Sequence, residues 1–124
     1  YNFLLETFIR FGAIQNVMEK IVVGLTEKVL INGKEVTARI DTGAQRSSIC
    51  QELYSKLNLG PFIGSVKIKN VNSVEVRPTV QAEVDIRGKK VHTMFNVADR
   101  SKMKYQLLIG QDVLKKGFLV DPGK

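Results

Sequence analysis

The chain has 124 residues, 44% of them hydrophobic and 25% charged, with a formal net charge of +7. That is enough for one soluble domain around one core, and no apolar run approaches the ~20 residues of a membrane span. A single cysteine, Cys50, excludes an internal disulfide framework, and a single histidine, His92, argues against a zinc site and His-based catalysis.

Residues 1–17 read as an extension, either a leader or a segment added for expression, ahead of a domain covering 18–124. Met18 opens a stretch that looks like a natural start, Met18-Glu19-Lys20-Ile21. A pro-segment or substrate-like peptide is a less favoured reading of 1–17. Its apolar residues are interrupted by Glu6 and Arg10 without a basic run before them, unlike a secretory signal. With one cysteine, this points to a reducing, cytoplasmic location.

From Ile21 the pattern is that of strands. Asn32-Gly33 predicts a two-residue hairpin turn, because both central positions of a type I′ turn need positive φ. Val29 and Ile31 precede it; Val36, Ala38 and Ile40 alternate after it. The strand runs directly into Asp41-Thr42-Gly43-Ala44. Ser47 or Ser48 is then expected to cap a short helix with Ile49, Leu53 and Leu57 on one face, stopped at Gly60 before Pro61. Cys50 is expected inside that helix as a packing residue.

Residues 66–76 read as a hairpin turning at 70–73. A longer hairpin follows, with Val80, Ala82, Val84 and Ile86 before Gly88-Lys89, and Val91, Thr93, Phe95 and Val97 after it. His92 falls in this alternating pattern. Leu107-Leu108-Ile109-Gly110 is a short apolar strand ending in glycine. Asp112 is expected to cap a helix ended by Gly117, before a last strand at 118–120. The first and second long hairpins echo each other: Val29-x-Ile31-x-Gly33-Lys34-x-Val36 against Val84-x-Ile86-x-Gly88-Lys89-x-Val91. Carried on, the echo sets Asn96 opposite Asp41. Either any two Gly-Lys hairpins look alike, or the fold has an internal pseudo-twofold.

Asp-Thr-Gly alone is weak, since ordinary residue usage yields it in roughly one chain of this length in forty. Followed downstream by an apolar strand ending in glycine, it is much stronger. With these residues the chain resembles the retropepsin-like aspartic proteases over most of 21–122. Ser47-Ser48-Ile49 and Leu108-Ile109-Gly110-Gln111-Asp112-Val113-Leu114 add to the match, which lies nearer the cellular branch, such as the DNA-damage-inducible proteins, than the viral enzymes. Arg77-Pro78, Asp99-Arg100, Met103 and Val120-Asp121-Pro122 also look like a prokaryotic branch labelled "ATP-dependent zinc protease". No Gly-x-x-x-x-Gly-Lys-Ser/Thr loop and no His/Cys cluster in this sequence supports that label.

The resemblance implies an all-β, single-lobe acid-protease barrel with one or two short helices, active as a C2 homodimer. It implies no cofactor and no metal. Asp41 would be the catalytic carboxylate, Thr42 would bond across the dimer, Gly43 would offer its backbone to substrate, and Ala44 would line the cleft. Ile109 would wall an apolar subsite. Residues 66–76 would form a flap, with Val71 and Asn72 near its tip as substrate contacts. The chemistry needs two carboxylates sharing one proton, because two such groups about 3 Å apart cannot both ionise. One Asp-Thr-Gly per chain then requires a second chain.

The flap lacks a glycine-rich tip. Gln45-Arg46 and Gln111-Asp112 stand where viral enzymes carry acidic residues and Arg-Asn, so an Arg46–Asp112 pair is expected. The last strand ends near Asp121-Pro122, so the dimer sheet is expected to be built differently.

The expected function is an aspartic endopeptidase acting on extended peptides, with Lys67, Lys69 and Arg77 favouring acidic segments. The alternative is a non-catalytic dimeric peptide-binding or assembly module of the same fold. Arg87, Lys89 and Lys90, and Arg100, Lys102 and Lys104, form basic clusters, but few aromatics interleave with them. Nucleic acid is therefore not the expected partner, and neither is a membrane.

Overall fold

Two left-handed turns organise the chain. Asn32 and Gly33 have φ of 49° and 78°, and Arg87 and Gly88 have 51° and 88°. These are the positive-φ pairs that match the twist of antiparallel strands. The first turn joins β2 (Thr26–Ile31) to β3 (Lys34–Ile40), with Ile31 opposite Lys34. The second joins β6 (Val74–Ile86) to β7 (Lys89–Ala98), with Ile86 opposite Lys89. The computed structural model describes residues 20–69, 71–99 and 104–124. The extension at 1–17, Met18, Asn70, Arg100, Lys102 and Met103 lie outside the described residues.

The other elements are β1 (Ile21–Val23), β4 (Ser48–Cys50), α1 (Gln51–Leu57), β5 (Gly64–Lys69), β8 (Leu107–Ile109), α2 (Gln111–Leu114) and β9 (Phe118–Val120). Seven strands form one sheet in the order β2-β3-β8-β4-β7-β6-β5. Pairing of β2 with β6 closes six of them into a barrel and leaves β5 outside, held by β6 alone as a hairpin. β1 and β9 form a separate parallel pair. This is the all-β barrel with two short helices that the resemblance implied. Alternating positions along the strands fill its interior: Val29, Ile31, Val84, Ile86, Phe95, Leu107 and Ile109 are each 1% exposed or less. Among the described residues no helix is long and apolar enough to cross a membrane.

The hairpin echo is a real symmetry. It matches Leu30 with Asp85, and these two residues pair in the sheet, so a pseudo-twofold passes between them. β4 and β8 are antiparallel to each other, and each leads into a short helix. β8 runs parallel to β3, with Ile109 beside Ile40, and β4 runs parallel to β7, with Cys50 beside Ala98. The residue that corresponds to Asp41 is therefore Asp99. Asn96, where the echo pointed, instead pairs with Ser48. The extrapolation failed because β7 continues past the point where β3 ends.

Helix capping also differs from expectation. Ser47 and Ser48 are buried before the helix, and Cys50 caps α1 by accepting from the Leu53 N–H. Asn58, at φ 51°, closes the helix two residues ahead of Gly60. Gly110, not Asp112, stands at the start of α2.

Candidate active site

The Asp41 loop is held almost entirely by main chain. As β3 leaves the barrel, Asp41 N donates to Ile109 O at 2.8 Å. Gly43 N then donates to Asp41 Oδ1 at 2.9 Å, and Ala44 N to Asp41 O at 3.3 Å. The carboxylate is thus aimed by its own loop. A Cβ on Gly43 would stand 3.3 Å from Asp41 Oδ1, so a side chain there would crowd the acid.

The segment after β8 locks this loop from below. Gln111 N donates to Ala44 O at 2.8 Å and Asp112 N to Gln45 O at 3.2 Å, while Gln111 Nε2 donates to Thr42 O at 2.7 Å. A Cβ on Gly110 would lie 2.7 Å from Arg46 O and 2.8 Å from Ala44 O. Both are backbone atoms, so only glycine lets the two segments cross here.

Ser47 is the rivet. Its Oγ donates to Asp112 Oδ1 at 2.7 Å and accepts from Gly110 N at 2.9 Å, while its N–H donates to Asp112 Oδ2 at 3.0 Å. The Asp112 carboxylate is spent on Ser47, and no ion pair with Arg46 forms among the described residues. The expected Arg46–Asp112 pair is absent because Ser47 occupies both carboxylate oxygens of Asp112.

Beside the loop lies a cavity of about 620 Å³ in which Asp41 is the only acid of the lining among the described residues. Arg46, Lys67, Lys69 and Arg77 supply four cations, and Ala44, Ile68 and Leu108 an apolar floor and wall. The β5–β6 hairpin overhangs it through Lys67, Ile68 and Lys69.

Of the residues singled out by sequence, Asp41, Gly43 and Ala44 line this cavity. Thr42 is exposed next to it, with its carbonyl held by Gln111. Ile109 does not line it: at 0% exposure it points into the core. The reason is strand alternation, which turns Leu107 and Ile109 inward and presents Leu108 to the cleft. Val71, fully exposed, and Asn72 sit at the hairpin tip and do not line the cavity of this chain. Among the described residues, no three His, Cys, Asp or Glu side chains gather as a metal would need.

Sequence reasoning missed Ser47, Asn96 and Arg77 as site supports. Asn96 is 2% exposed, bonded to Ser48 Oγ at 2.9 Å, to Ser47 O at 2.9 Å and to Arg77 Nη1 at 3.0 Å. An asparagine on an otherwise apolar strand end was the available signal.

Residues 28–116 match the family model described as "gag-polyprotein putative aspartyl protease". No curated protein matches the chain. Among solved structures, the EIAV protease bound to the inhibitor HBY-793 is 25% identical with a TM-score of 0.63, over 73% of this chain and 85% of that one. A protein of unknown function from Legionella pneumophila is 18% identical with a TM-score of 0.60, over 84% and 95%. The simian foamy virus (mac) protease is 16% identical with a TM-score of 0.57, over 73% and 91%.

Proposed function

Because the chain belongs to the retropepsin-like family of gag-polyprotein aspartyl proteases, we propose that it is an aspartic endopeptidase that works as a homodimer. The observation that carries this reading is the Asp41 carboxylate, aimed by the Gly43 N–H from a glycine-locked loop into a cavity overhung by a β-hairpin. One chain supplies one such acid. A second copy related by a twofold axis supplies the other.

In that dimer the two Asp41 carboxyl groups share a proton. The ionised one takes a proton from water as its oxygen attacks the peptide carbonyl, and the protonated one donates to the carbonyl oxygen. Collapse of the tetrahedral species delivers a proton to the leaving nitrogen and breaks the C–N bond. Thr42, exposed beside the axis, bonds to the other copy. The β5–β6 hairpin acts as the flap, with Val71 and Asn72 reaching substrate as it closes. Leu108, Ala44 and Ile68 take apolar side chains next to the scissile bond. Arg46, Lys67, Lys69 and Arg77 favour peptides with acidic flanks.

Peptide hydrolysis by wild type and Asp41→Asn tests this. Wild type should cleave an extended peptide with an apolar centre and Glu flanks, and Asp41→Asn should lose about 10³-fold or more in kcat. Equal activity of the two proteins would end the aspartic protease reading. Tight peptide binding by both, with turnover by neither, would establish the binding-module alternative instead.

A further inference from the structure

We infer that Arg77 is a positioning residue: it latches the flap hairpin to the catalytic loop through the buried amide of Asn96. Nothing in the family match assigns a role to either residue. Arg77 lies on the flap half of β6, opposite Val66 of β5. Its side chain is 17% exposed and lines the cavity. Nη1 donates to Asn96 Oδ1 at 3.0 Å, and Nη2 to Glu75 Oε2 at 3.0 Å on the same strand.

Asn96 passes the connection on. Its Nδ2 and its main-chain N–H both donate to Ser47 O, at 2.9 and 3.1 Å. Its Oδ1 accepts from Ser48 Oγ as well as from Arg77. Only one amide orientation serves these partners. Turning it over would aim an NH₂ group at a guanidinium and a carbonyl oxygen at another carbonyl oxygen. Ser47 in turn is bonded to Asp112 and Gly110, the residues that lock the Asp41 loop. A continuous chain of hydrogen bonds, charge-assisted at Arg77 and at Asp112, thus runs from the flap to the loop that carries the acid.

The latch has one open contact. Arg77 Nε is buried and, among the described residues, is the buried side-chain N or O atom without a hydrogen-bond partner. A buried donor of this kind favours any state that gives it an acceptor.

The decisive measurement is amide hydrogen exchange on the full chain, which does not depend on the proposed protease reading. Arg77→Met should speed exchange about tenfold in the hairpin (64–69 and 74–79) and at 47–48 together. The β2–β3 hairpin should be unchanged. Arg77→Lys keeps the charge but not the fork, and should recover part of the protection. Because both residues act through one latch, Arg77→Met combined with Asn96→Ala should exchange no faster in the hairpin than the faster single variant.

Additive effects, or protection of the hairpin unchanged in Arg77→Met, would overturn the inference. So would acceleration spread evenly over the barrel. The kinetic arm does rest on the protease reading. For a peptide with an apolar centre and uncharged flanks, Arg77→Met should raise KM about tenfold with a smaller change in kcat. An equal fall in kcat at constant KM would count against a latch. Absence of turnover in wild type would overturn the protease reading while leaving the exchange result to decide the latch.

Discussion

Gly110 shows how a single residue decides whether the site exists. Two backbone segments cross at a separation that leaves no room for a methyl group, because the obstructing atoms are the carbonyl oxygens of Ala44 and Arg46. Gly110→Ala is expected to cost at least the 1–3 kcal/mol typical of overpacking and to move the Asp41 loop. Chemical denaturation and a crystal structure of the variant would check both. Ser47 is the second such position. It is fully buried, and Ser47→Ala removes the donor to Asp112 and the acceptor for Gly110 N at once. A loss of about 1–3 kcal/mol follows from leaving buried polar groups unpaired. A change below ~0.5 kcal/mol in the unfolding free energy would contradict the rivet. Gly110 was legible in the sequence as the glycine that ends the apolar strand downstream of Asp41-Thr42-Gly43, whereas Ser47 was not visible as a support. Ser47 reads as an ordinary helix cap until the fold brings it against residues more than sixty positions away.

At the scale of the element, β8 separates core from cleft in three residues. Leu107 and Ile109 face the barrel interior, and Leu108 faces the cavity. Ile109→Ala should therefore destabilise by about 2–5 kcal/mol, as buried large-to-small changes do, and leave the choice of peptide unchanged. Leu108→Ala should change which apolar side chain is accepted beside the scissile bond. Profiling cleavage sites of the two variants would separate these roles, and a changed specificity in Ile109→Ala would refute the assignment. The run of three apolar residues was visible in the sequence, but its phase was not. A fully apolar strand carries no alternation from which to read a face. The hairpins were legible for the opposite reason. Asn32-Gly33 sits between runs with clean alternation and the structure turns there; the second turn, expected at Gly88-Lys89, centres one residue earlier on Arg87-Gly88, with Lys89 already in β7.

The barrel repeats itself about the axis between Leu30 and Asp85, and yet only one half carries Asp-Thr-Gly. In the proposed dimer a catalytic pair arises from two identical loops of two chains. Mixing tests this directly. If mixed dimers lack a competent pair, wild-type activity should fall to about half on equilibration with an equal amount of Asp41→Asn, and to about a tenth with a ninefold excess. Activity per wild-type chain that ignores the added variant would exclude a shared site. Specific activity should also fall on dilution, in step with the dimer fraction measured by sedimentation.

Local patterning sufficed for most of the strands, the Asn32-Gly33 turn and the acid loop, because each depends on residues adjacent in the chain: alternation for a strand, positive φ for a turn, glycine after an acid. It did not suffice for β4, whose Ser48–Cys50 read as the start of a helix. In the proposed dimer the need of a second copy follows from the single Asp-Thr-Gly in the sequence. Which of Leu108 and Ile109 meets the cleft, why Asn96 is buried, what Asp112 binds and where Arg77 reaches were decided only by tertiary structure. Those assignments depend on how parallel pairings bring 40 beside 109 and 48 beside 96. Pairings between distant segments are set by closure of the barrel as a whole, and no short stretch of sequence encodes them.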